Sequence, residues 1–147
     1  MSNLLVQNIK HTNNTTAVEI NSSAQMTVKG EGSATTNLQQ GLSKHFVNIN
    51  GTGTIATRDS FNLSSAVDNG TANYTFNLTN AHSGATYTLT CSGAEPGGNK
   101  PHVAVPFVVS DTEYAPTASA YRIGMLEPGV AWNDAEYVMG STFGDLA

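Results

Sequence analysis

NGTGTIATRDSFNLSSAVDNGTANYTFNL, residues 50–78, carries three charged side chains, Arg58, Asp59 and Asp68, amid Asn, Thr, Ser and Gly. So polar a stretch folds only if its few apolar residues fall in a pattern. Phe61 and Leu63 alternate with Asn62 and Ser64, and further on Tyr74, Phe76 and Leu78 alternate with Thr75 and Asn77. Period two puts each apolar set on one face of a strand. Between the two runs, Asp68-Asn69-Gly70 supplies residues that tolerate positive φ, as a tight hairpin turn demands. Hydrophobicity here is arranged rather than abundant, and the arrangement is that of β-structure.

The pattern extends outward from this hairpin. Val47 and Ile49, then Ile55 after the turn GTG, precede it; Tyr87, Leu89 and Cys91 follow. Residues 93–101, GAEPGGNKP, read as a loop. Val103, Val105, Phe107 and Val109 form the next alternating set, with Pro106 on the opposite face, where its missing N–H predicts an edge or a bulge. Tyr121, Ile123 and Met125 give another strand, and AEYVMG a last one. Seven or eight short strands separated by turns predict an all-β fold, with an antiparallel, jelly-roll-like β-sandwich head over residues 46–147. Only 12% of the 147 residues are charged and 5 are proline, which argues against a disordered chain.

Residues 1–33 have a thinner pattern. Three short strands offer Leu4 and Val6, Val18 and Ile20, and Met26 and Val28 as inward candidates. So narrow a face needs a cover, either the C-terminal domain or copies of itself. Residues 34–45 read as a short connector, with Leu38 and Leu42 at i, i+4 on one or two helical turns that Gly41 weakens.

Charge and motif content narrow the function classes. The net charge is −5 and the six basic residues are scattered singly, so nucleic-acid binding is not expected. Cys91, the sole cysteine, reads as a small buried hydrophobe of a strand. The N-terminus has neither a basic segment nor an apolar run of signal-peptide type, and no run suits a membrane helix; synthesis in a cytoplasm without membrane insertion is the expectation. Glu127, Asp134, Glu136 and Asp145, with Asp111 and Glu113 before them, are the candidates for a hydrolytic pair of carboxylates, and a solvated surface is the reading preferred for them. His11, His45, His82 and His102 show no metal-ligand spacing; only His45 invites the thought of a histidine repeated about a symmetry axis. No catalytic, metal-binding or cofactor-binding residue is therefore expected. For sugar binding, which uses aromatic faces beside amides and carboxylates, the candidates are Trp132, Asn133, Asp134 and Tyr137.

Two stretches resemble bacteriophage tail-fibre proteins, particularly the small-fibre and fibre-tip type of marine phages. LLVQNIKHTNNTTAVEINSSAQMTV, residues 4–28, is similar to their N-terminal strand–turn–strand. LQQGLSKHFVNINGTGTIATRDSFNLSSAVDNGTANYTFNLTNAHSGATYTLT, residues 38–90, is similar to their distal head, and LEPGVAWNDAEYVMGSTFGDLA lies outside the resemblance. The resemblance implies a homotrimer in the virion tail, docked on other tail proteins and meeting a glycan or protein receptor on the host surface. Leu4, Val6, Val18, Ile20, Met26, Val28, Leu38 and Leu42 would then line the trimer interface. A capsid decoration fibre, or a small tip that binds or degrades polysaccharide, is the alternative.

Overall fold

Alternation of side chains, interrupted by a few residues of unusual backbone geometry, sets the strand boundaries. The structure is a computed structural model and describes residues 7–10, 12, 16–22, 24–29, 35–95, 102–109, 112–129 and 131–147. The chain divides into two units, Met1–Leu42 and Ser43–Ala147.

The first unit holds β1 (Asn8–Lys10), β2 (Thr16–Ile20), β3 (Met26–Lys29), β4 (Thr35–Asn37) and a single helical turn, α1 (Leu38–Gly41). The strands form an antiparallel meander in the order β1-β2-β3-β4. Asn21 shapes the β2–β3 turn by accepting a 3.0 Å hydrogen bond from Gln25 N, with Ala24 at φ 58°. Gln39 Oε1 accepts from Met26 N at 3.0 Å and ties α1 to β3. Register puts Ile9 opposite Val18, Val18 opposite Val28, and Ile20 opposite Met26, so all five lie on one face. Residues 35–37, which alternation alone leaves in a connector, are a fourth strand paired with β3. Leu4 and Val6 lie outside the described residues.

The second unit contains β5 (His45–Asn50), β6 (Ala56–Phe61), β7 (Leu63–Asp68), β8 (Asn73–Leu78), β9 (Thr88–Ala94), β10 (Val103–Pro106), β11 (Val108–Val109), β12 (Thr112–Glu113), β13 (Ala120–Glu127), β14 (Ala131–Trp132) and β15 (Tyr137–Phe143). One antiparallel sheet runs β6-β5-β15-β9 and another β10-β13-β8-β7, with β14 added to β13 and β11–β12 a separate hairpin. A shared core joins the two large sheets: Val47, Ile49 and Val138 from one, Tyr74, Phe76, Tyr121, Ile123 and Met125 from the other. The fold is thus all-β, as alternation predicts. Tyr74, Phe76 and Leu78 are inward as expected, and so are Tyr121, Ile123 and Met125. The turn before β8 has positive φ at Gly70 (116°) and Ala72 (60°).

Three local readings change. Phe61 and Leu63 do not share a strand: Asn62 adopts φ 58°, and the chain crosses there from the sheet of β6 to that of β7. The Asn62 side chain substitutes for strand pairing, donating from Nδ2 to the carbonyls of Lys44 (2.9 Å) and Asn80 (3.0 Å) while Oδ1 accepts from Asn80 N (2.7 Å). Phe61 therefore ends β6 facing outward, 53% exposed, and Leu63 packs on the core. In β10 the inward residue is Ala104, opposite Met125, and Val103 is exposed. Phe107, at φ 61° after the edge-strand Pro106, resets the alternation and packs on the core. Finally, Gly93 and Ala94 belong to β9, opposite Val138 and Tyr137, and not to a loop. A Cβ on Gly93 would lie 1.7 Å from Met125 Cε, so glycine is what lets the two sheets approach there.

Candidate functional site

The residues proposed from sequence for sugar contact are spread over several local structures of the second unit. Trp132 pairs with Leu126 in β14 and is partly buried against the core. Asn133 Nδ2 donates to Glu127 Oε2 at 3.1 Å, and Glu127 is buried. Asp134 Oδ1 accepts from Ala72 N at 2.7 Å and from the Tyr74 hydroxyl at 2.9 Å, tying the β7–β8 turn to the segment before β15. Burial, then the bond to Asp134, pushes the Tyr74 hydroxyl far above its ordinary pKa and keeps it a donor. Tyr137 lies under the Arg58 guanidinium, 3.8 Å from ring centroid to Cζ. Arg58 also pairs with Glu136 Oε1 at 3.1 Å and donates to the carbonyls of Ile49 and Glu136. Glu127, Asp134 and Glu136 are thus each held by a neighbour. Asp111 lies outside the described residues.

His45 is fully buried at the start of β5, which removes it from any surface or symmetry axis. Its Nδ1 shares a 3.2 Å hydrogen bond with the Tyr121 hydroxyl, while its Nε2 has no partner among the described residues. Opposite it, Thr142 shares a 2.9 Å bond with Nε2 of His82, whose ring stacks on Tyr87 at 4.2 Å. Scattered in sequence, these two histidines are brought together by β5 and β15. Among the described residues, no cluster of three or more His, Cys, Asp or Glu is placed to hold a metal.

A different surface gathers chemistry that the sequence leaves dispersed. Because Val47 and Ile49 face the core, their neighbours Phe46 and Asn48 face outward across β6-β5-β15-β9. Register aligns Phe61, Phe46, Ser141 and Thr90 in one row across the sheet, and Asp59, Asn48, Met139 and Ser92 in the next. These rows border an open groove of about 410 Å³, lined among others by Phe46, Asn48, Asp59, Thr90, Ser92 and Met139. Phe46 and Phe61 stack with centroids 6.1 Å apart and planes 24° apart, and both are well exposed (40% and 53%). Asn48 lies in the floor of this face, with its Oδ1 buried and without a hydrogen-bond partner among the described residues. One signal for this face was present in the sequence: Phe46 immediately precedes an inward-alternating run.

Neither a family model, nor a curated protein, nor a solved structure matches this chain. No helix among the described residues is long and apolar enough to cross a membrane.

Proposed function

We propose that the chain is a structural, non-enzymatic virion protein, a homotrimeric bacteriophage tail fibre. In this reading the first unit assembles the trimer and docks on other tail proteins. The second is a jelly-roll-like sandwich head that meets a host-surface glycan or protein receptor. No cofactor is involved.

The observation that carries the reading is the apolar face of β1–β4. Ile9 is 58% and Ile20 40% exposed, and Val18, Met26 and Val28 on the same face are only half-buried. Fully burying an exposed side chain of this kind gains roughly 1.5–3 kcal/mol, of which the half-buried three can gain only the remaining part, so a face of five favours association. Cyclic symmetry lets one sequence bury that face against copies of itself. Leu38 is half-buried, and Leu42, just past α1, is 54% exposed; both are offered to the same interface.

Light scattering of the full chain at micromolar concentration tests this. The expected mass is three times 15.4 kDa, and a single-chain mass overturns the trimer. Ile20→Asp or Val18→Asp would place three unpaired carboxylates together and should return single chains. Trimers of unchanged stability in either variant would contradict a β2 interface. Labelled protein should localise to the tail of the particle; labelling of the capsid overturns the tail assignment.

A further inference from the structure

We infer that the outward groove of β6-β5-β15-β9 is a binding site for an uncharged saccharide. The inference rests on the adhesive part of the proposed function and not on its trimeric part.

Its lining discriminates among ligand classes. Phe46, stacked on Phe61, offers a broad exposed aromatic surface, and Met139 adds an apolar patch in the next row. Around them stand uncharged polar groups: the Asn48 amide and the hydroxyls of Thr90, Ser92 and Ser141. A pyranose has the complementary make-up, an apolar C–H face for the ring and a rim of hydroxyls for amide and hydroxyl partners.

Other occupants fit less well. Among the described residues no lysine or arginine lines the groove, and Asp59 does; a phosphate, nucleic acid or acidic glycan would meet repulsion. An extended peptide adding to a sheet pairs along a terminal strand, here β6 or β9, and not over the outward face of the inner strands β5 and β15, which are paired on both sides. A lipid chain needs a continuously apolar lining, and polar side chains stand in both rows of this one. The volume of about 410 Å³ falls within the roughly 300–1,000 Å³ of small-molecule sites.

The test uses the full chain on an array of neutral and acidic glycans, followed by titration calorimetry with the best neutral oligosaccharide. Wild type is compared with Phe46→Leu, Phe46→Tyr, Asn48→Ala and Trp132→Ala, each checked for folding by circular dichroism and for mass by light scattering. The expected result is neutral-glycan binding that weakens at least about tenfold in Phe46→Leu, weakens in Asn48→Ala, survives in Phe46→Tyr and is unchanged in Trp132→Ala. Loss in Trp132→Ala with retention in Phe46→Leu overturns the groove and leaves the adhesive reading standing. Preference for acidic glycans, or no glycan binding by a folded full chain, overturns the saccharide assignment without touching the trimer. A change of oligomeric mass in Phe46→Leu overturns it in favour of a second copy as occupant.

Discussion

An imidazole without water is a poor base. Burial, reinforced by the nearby His82, lowers the pKa of His45 to about 4, and burial first, then Lys44, lowers that of His82 although the Asp145 carbonyl opposes the shift. Because the folded pKa lies below the unfolded value of 6.5, the unfolded chain binds the proton first as pH falls. The stability that neutral His45 represents is complete above about pH 6.5 and is lost towards pH 4. A displacement of this size corresponds to roughly 3 kcal/mol. Urea midpoints should therefore fall steeply between pH 7 and 4.5 and fall less in His45→Leu, whatever that variant's absolute stability. Equal pH slopes in the two proteins would show that His45 does not carry the acid sensitivity. None of this was legible in the sequence, where residues 45, 82 and 142 are unrelated until β5 and β15 pair.

Between elements, closeness is set by glycines. A Cβ on Gly140 in β15 would lie 2.7 Å from the Tyr121 hydroxyl and 3.1 Å from Ile123 Cδ1, both in β13 of the opposite sheet. Gly140→Ala should cost about 1–3 kcal/mol by overpacking, read as a lower denaturation midpoint. Gly41→Ala, with nothing within 4 Å of the new methyl, should be neutral or slightly stabilising, and equal losses in both would refute the packing account. Elements with uninterrupted alternation, such as β5, β8 and β13, could be read directly from residues 47–49, 74–78 and 121–125. Reading failed where one backbone angle reset the period, at Asn62 and Phe107, because propensity does not announce a left-handed residue. It failed also for the groove, whose rows draw one residue at a time from β6, β5, β15 and β9.

At the level of the whole molecule, the second unit has a core of its own: Val47, Ile49, Tyr74, Phe76, Ile123, Met125 and Val138 all belong to it. Residues 43–147 made alone should unfold cooperatively and, if the first unit assembles the trimer, show single-chain mass in light scattering. A non-cooperative melt would refute the autonomy of this core. The order of strands bears further on biosynthesis. Chain-order neighbours β5 and β6 pair early, but β15 lies between β5 and β9, and residues 137–143 leave the ribosome after the other described strands of this unit. Until then, the Val47 and Ile49 face of β5 lacks the neighbour that completes its sheet. Closure of this unit accordingly waits for β15 to emerge, and a nascent chain paused before that strand is the form that needs chaperone protection.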